Sequence, residues 1–148
     1  MISERNQGLF RLKLHHIGIV VKNIQESIGE LTKFLNFEST TVPTLVGSQK
    51  VNVCFLKTNN VYIELIEPAE ENSPISAFTD NGGGFHHICF EVSDIHQEVE
   101  KMVKNGAKLV VKPVKGFDDR LIAFLSLNMK NTNCRYVELM SESNETRQ

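Results

Sequence analysis

The sequence predicts an α+β fold built from two β-α-β-β-β modules, at about 13–67 and 85–141, whose sheets form a cup-shaped, partly closed barrel. Three observations predict it. LHHIGIVVKNIQES (14–27) runs in step with FHHICFEVSDIHQE (85–98) at a constant offset of 71 residues. Tyr-x-Glu-Leu occurs at 62–65 and again at 136–139, an offset of 74 that longer loops absorb. The candidate helix caps match as well, with Asp94 standing where Asn23 stood and Gln97 where Glu26 stood. Internal repeats constrain architecture before any local propensity does.

The elements follow in order. Residues 1–12 read as a polar lead-in. A strand is expected at 14–21, followed by Asn23 as an N-cap with Glu26 completing a capping box. Ile24, Ile28, Leu31 and Leu35 then recur at helical spacing, leaving Gln25, Glu26, Glu30 and Lys33 for solvent. Strand-like runs fit at 38–42, 50–57 and 61–66, with Asn59-Asn60 as a turn. Pro68 and a polar run open a linker, about 68–84, that ends in Gly82-Gly83-Gly84. Such a triplet resembles a phosphate cradle, but it leads into a strand instead of a helix N-terminus. It is read as a flexible joint. The second module places a strand at 86–92 and a helix striped by Ile95, Val99 and Met102, which Asn105-Gly106 stops. Strands follow at 108–114, 121–127 and 135–140, and 141–148 is a polar tail.

At 148 residues and 41% hydrophobic, the chain can bury one core and is most simply one domain, residues 1–148. A net charge of −2 gives no electrostatic reason to expect nucleic acid. No apolar run reaches membrane-spanning length, and the start lacks the apolar stretch of a signal peptide, so a cytoplasmic protein is expected. Cys54, Cys89 and Cys134 are odd in number and widely spaced, which fits reduced thiols.

Strand parity locates the chemistry, because alternate side chains face opposite sides. Ile17, Ile19 and Val21 share a face with His15, while His16 shares the other with Gly18 and Val20. Ile88, Phe90 and Val92 lie with His86, while His87 lies with Cys89 and Glu91. The apolar faces should meet the helices. His16 and His87 then point into the cup, with open space beside Gly18, and His15 and His86 serve as packing or supporting residues. In the last strand of each module Glu64 and Glu138 also fall on the non-core face. A mid-strand carboxylate is costly unless paired or coordinated. A lone strand histidine is usually a packed rim residue, and a lone strand glutamate a solvent-facing rung. His16, Glu64, His87 and Glu138 together instead form a four-ligand set for a divalent cation, with positions left for water or substrate. Such donors suit Co, Mn, Ni, Zn, Mg or Fe. His96 reads as surface, and Lys112, Lys115, Arg120 and Lys130 as ordinary solvated charges.

Over about 12–140, paired modules with His near the start and Glu near the end resemble the vicinal oxygen chelate superfamily. That group includes glyoxalase I, extradiol dioxygenases, fosfomycin and bleomycin resistance proteins, and methylmalonyl-CoA epimerases. The likeness is greatest to the epimerase branch, through HHIGIVVKNI, IELIEP followed by ENSPISAF, GGGFHHICFEVSDI and the closing YVEL. The resemblance implies a metal-dependent isomerase that stabilises an enolate of a small acyl or thioester substrate, with a CoA thioester as partner and Glu138 doubling as ligand and catalytic base. It also implies pairing of two copies, although no stretch of this sequence declares itself an interface. Alternatives are a glyoxalase I-like lyase and a non-catalytic, resistance-type binding member. An extradiol dioxygenase is disfavoured by a fourth ligand at Glu64. One departure bears on mechanism: the acid that epimerases carry ahead of the third strand falls on Ser48.

Overall fold

A computed structural model describes residues 12–143, so most of the expected lead-in and tail lies outside the described residues. The first half contains β1 (Lys13–Val20), α1 (Ile24–Thr32), β2 (Ser39–Thr40), β3 (Thr44–Val46), β4 (Val51–Lys57) and β5 (Tyr62–Pro68). After α2 (Ser76–Asp80), the second half contains β6 (Gly84–Val92), α3 (Ile95–Lys104), β7 (Lys108–Lys115), β8 (Leu121–Ser126) and β9 (Tyr136–Ser141). Among the described residues, no helix is long and apolar enough to cross a membrane.

Both expected caps form. The Asn23 side chain accepts the Glu26 amide at 2.9 Å, and Asp94 accepts that of Gln97 at 3.0 Å. The Ile24 amide, one of the donors a helix start leaves orphaned, is taken by Glu67 of β5 at 2.8 Å. Helix α1 lays Ile24, Ile28 and Leu31 on Leu56 and Leu65, and α3 lays Ile95, Val99 and Met102 on Leu125 and Leu139. Leu35 lies beyond the end of α1 and is exposed, since the stripe outlasts the helix by one turn.

All strands join one mixed sheet in the order β2-β4-β5-β1-β6-β9-β8-β7, with β3 also on β4. The two halves meet at the centre, where β1 and β6 run antiparallel. In each half the first strand lies parallel to the last, β1 beside β5 and β6 beside β9. The expected barrel is not closed: β2 and β7 remain edges of an open path. Curling nevertheless brings β4 and β7 to line one cavity, and the Ser48 hydroxyl donates to the Lys115 carbonyl across the gap at 2.9 Å.

Two other expectations change. The linker carries the short helix α2, whose five residues are too few to show a stripe. The glycine triplet is a tight joint: a Cβ on Gly83 would sit 2.5 Å from the Val20 carbonyl oxygen, and all three glycines have positive φ.

The central strands are also bulged at matching places. Leu14 pairs with Phe90 and His16 with Cys89, so His15 is an extra residue on β1. Gly18 pairs with His87 and Ile19 with Phe85, so His86 is an extra residue on β6. A bulge turns a side chain away from strict alternation. Parity therefore fails for His15 and His86, and both rings stand beside the histidine that follows them.

Candidate metal centre

The floor of the cup is formed by β5, β1, β6 and β9, adjacent in the sheet. Parallel pairing sets Glu64 opposite Gly18 and Glu138 opposite Cys89, each two residues past the histidine of the neighbouring strand. That register brings the expected residues together. His16 Nε2 stands 3.1 Å from His87 Nε2. Glu64 Oε1 is 3.4 Å from both of those nitrogens, and Glu138 reaches them at 3.6 and 3.5 Å through Oε1 and Oε2. All four side chains are buried. Neither carboxylate has a lysine or arginine partner among the described residues.

These spacings fit a cation. Donors about 2.1 Å from a common ion stand roughly 3.0 Å apart at right angles and about 3.4 Å apart at tetrahedral angles. The observed nitrogen–nitrogen and nitrogen–oxygen distances of 3.1–3.6 Å lie close to both values. The donor chemistry also fits, since two imidazoles and two carboxylates suit a borderline or hard divalent ion.

Without an ion the charges must balance among themselves. Burial would push the His16 imidazolium down, but the Glu64 and Glu138 carboxylates override it and hold its pKa above the usual value. Burial would likewise raise Glu64, but the His16 and His87 imidazoles hold it below the ordinary carboxylate range. Glu138 goes the other way, raised by burial and by the Glu64 charge against the pull of both imidazoles. Without an ion, Glu64 therefore holds its charge more firmly than Glu138 does. Cys89, fully buried beside Glu138, has its thiol pushed well up by burial and that neighbouring charge, so it is inert.

Aromatic rings frame the imidazoles in the same way in both halves. Phe55 lies edge-on to His16 at 5.4 Å and Phe124 to His87 at 5.1 Å between centroids. Phe55 is the register partner of Glu64, and Phe124 of Glu138. His15 lies 5.2 Å from the Tyr62 ring, and His86 the same distance from Tyr136. Burial, then the adjoining His16 or His87, lowers the pKa of His15 and of His86 to about 4, so both are neutral rings. The space expected beside Gly18 is filled by the His87 ring, since a Cβ there would lie 2.2 Å from His87 Cε1.

Above the floor is a cavity of about 180 Å³ with aliphatic walls, among them Val51, Val53, Ile75, Val110, Ile122 and Met140. Every ionisable group lining it (Glu64, His86, His87, Tyr136 and Glu138) stands on β5, β6 or β9. Ser48 faces solvent, and Gln49 lines the cavity instead. Sequence reasoning passed over Gln49, Ile75 and the two phenylalanines. Only strand pairing reveals that Phe55 and Phe124 face the carboxylates. Arg120, expected as a solvated charge, is largely buried: its Nη2 donates to Glu91 Oε1 at 2.8 Å and its Nε to the Ser141 carbonyl at 2.8 Å. Glu91, on the cup face as parity expected, needs that partner.

The family model of the Glyoxalase/Bleomycin resistance protein/Dioxygenase superfamily matches residues 15–124. The chain belongs to that superfamily. Its relatives within it include a mitochondrial methylmalonyl-CoA epimerase of Dictyostelium discoideum, 33% identical over 130 residues, covering 86% of this chain and 76% of the relative. An ethylmalonyl-CoA/methylmalonyl-CoA epimerase of Cereibacter sphaeroides is 31% identical over 131 residues, covering 86% of this chain and 96% of the relative. Among solved structures, a hypothetical protein from Bacillus halodurans C-125 superposes with a TM-score of 0.80 at 29% identity, covering 91% of this chain and 97% of the other. A methylmalonyl-CoA epimerase in complex with methylmalonyl-CoA and NH4+ superposes at 0.77 with 23% identity, covering 90% and 96%, a likeness of fold.

Proposed function

We propose that this chain is a metal-dependent isomerase of the methylmalonyl-CoA epimerase kind, acting on a small acyl or CoA thioester substrate. In this reading residues 13–67 and 85–141 are half-modules of one domain, and His16, Glu64, His87 and Glu138 hold the ion. The observation that carries it is the approach of each buried carboxylate to both imidazole Nε2 atoms at 3.4–3.6 Å, with those nitrogens 3.1 Å apart, on the floor of an aliphatic cavity. His16, His87 and Glu138 offer three donor atoms all within 4.8 Å of one another. Two superfamily relatives at 31–33% identity named as malonyl-type CoA epimerases support the substrate class. A divalent ion there would supply Lewis-acid stabilisation of negative charge developing on substrate oxygens.

The rest falls to the protein. Glu64, held ionised, keeps the donor set anionic. Glu138, lining the cavity, takes a proton from the carbon beside the substrate carbonyl, and inversion requires the new proton to reach the opposite face through water. The aliphatic walls strengthen the electrostatic interactions that hold the charge developing on the substrate. Purified protein loaded with Co²⁺ or Mn²⁺ and given racemic methylmalonyl-CoA in D₂O should place deuterium at the α-carbon. No incorporation rejects that substrate. Absence of metal from the purified protein, with none taken up, leaves only a binding module.

One observation favours a second reading. Inversion of a stereocentre needs proton donors on both faces, yet the ionisable groups lining the cavity all rise from β5, β6 and β9, and Ser48 offers no acid. Glyoxalase I-like isomerisation of a hemithioacetal moves its proton on a single face. Formation of S-lactoylglutathione with Ni²⁺ or Zn²⁺, together with deuterium exchange that leaves configuration unchanged, would select it.

A further inference from the structure

We propose that His15 and His86 are positioning residues of the centre: each accepts the Nδ1–H of the histidine that follows it and so holds that ring's Nε2 toward the ion position between the carboxylates. The inference rests on the reading of His16 and His87 as ligands. His15 Nδ1 lies 2.8 Å from His16 Nδ1, and His86 Nδ1 lies 2.8 Å from His87 Nδ1. Two ring nitrogens this close share one proton, so in each pair one ring donates and the other accepts. Ligation at the far side of the rings sets the direction. Nε2 of His16 and His87 face each other and both carboxylates. A neutral imidazole that presents Nε2 as a lone pair carries its proton on Nδ1. Its partner must then be the acceptor, with its own proton on Nε2.

Two independent features fit that role. Each supporting histidine is the extra residue of a β-bulge, which breaks strand alternation and turns the ring toward its neighbour. Strict parity would have sent both rings to the helix side. Each is also set against a tyrosine two residues ahead of the carboxylate: Tyr62 lies 5.2 Å away at 31°, and Tyr136 5.2 Å away at 24°. The ring plane of the acceptor is therefore held, and with it the direction of the hydrogen bond. Supporting partners of ligand histidines are usually carboxylates or backbone carbonyls. Here a neutral ring takes that place, which adds no further negative charge to a floor that already carries two carboxylates.

The test uses His15→Phe and His86→Phe, which keep the ring against tyrosine but remove the acceptor, and His15→Asn and His86→Asn, whose side-chain oxygen restores it. Co²⁺ affinity by chelator competition, with the d–d absorption spectrum, is the first readout. Each Phe variant should bind about 10–100-fold more weakly with an altered spectrum, and each Asn variant should return to within a few fold of wild type. Phe variants with wild-type affinity and spectrum, or Asn variants as weak as Phe, overturn the proposal. The second readout needs no metal. Long-range ¹⁵N–¹H spectra of the wild-type histidines should find the shared proton on Nδ1 of His16 and His87, and Nε2–H on His15 and His86. Failure of the wild type to bind Co²⁺ removes the metal reading alone, and the tautomer pattern then decides. Protons on Nδ1 of His15 or His86 overturn the inference.

Discussion

Replacing Gly18 with alanine probes how tightly the two halves must fit for the centre to exist. A Cβ at position 18 would lie 2.2 Å from Cε1 of His87 and 2.6 Å from its Nδ1 and Nε2. Non-bonded carbons rest about 3.5 Å or more apart, so the ring would have to retreat by roughly 1.3 Å. It has nowhere to go, being 1% exposed and held between Phe124 and His16 with centroids at 5.1 and 5.2 Å. Overfilling a packed site costs about 1–3 kcal/mol. Metal sites tolerate ligand displacements of only about 0.2 Å, so losing the His87 position should weaken Co²⁺ binding by at least about 100-fold, or roughly 2.7 kcal/mol. Gly29→Ala is the control. Nothing lies within 4 Å of a Cβ there, mid-way along α1, and the change should stabilise by about 0.5–1 kcal/mol. Urea denaturation of the metal-free proteins and Co²⁺ titration give both quantities. Wild-type stability and affinity in Gly18→Ala would mean that steric contact between β1 and the His87 ring does not shape the site, and the reasoning fails.

Three further outcomes are expected. In metal-free protein the histidine contributions to stability should peak near pH 6.5. Below it the unfolded chain binds protons that His15 and His86, lowered to about 4, refuse; above it the folded chain gives up the proton that raised His16 retains. A melting temperature that keeps climbing from pH 6.5 to 9 contradicts the raised His16. Arg120→Ala strips buried Glu91 of its 2.8 Å partner and should cost about 3–5 kcal/mol, less whatever Lys13 recovers from 3.5 Å. Adding Glu91→Gln should return part of that loss in a double-mutant cycle, whereas strict additivity would deny the coupling. Glu138→Gln keeps the shape of the proposed base but not its basicity. Solvent exchange of the substrate proton should slow by about 10²–10⁴-fold, and an unchanged rate would move the base elsewhere.

The four donors were legible because a strand has a period of two, and one phrase near its start with another near the end of each half reports which face they share. Helix caps were legible for a similar reason, being local hydrogen bonds between residues three apart. The bulges were not. An extra residue is defined by what the opposite strand does, so nothing in LHHIG or FHHIC announces that His15 or His86 turns inward. Gly18 misled in the same way: its own strand leaves room, and the ring that takes the room comes from β6. Arg120 read as a solvated charge because its partner, Glu91, is 29 residues away, on β6. Closure of the barrel depends on pairing at β2 and β7, and no local pattern speaks to that.

The antiparallel seam of β1 with β6 has a consequence for how the protein comes to be competent. His16 and Glu64 belong to one half and His87 and Glu138 to the other, and they meet only after pairings that span long stretches of chain have closed. Non-local contacts of this sort form late and slowly. A nascent or half-collapsed polypeptide therefore offers an ion at most one imidazole and one carboxylate, a weak and undiscriminating trap. Under the proposed metal-dependent reading, capture of the ion would proofread assembly, since its affinity rewards only chains in which both ends have found each other.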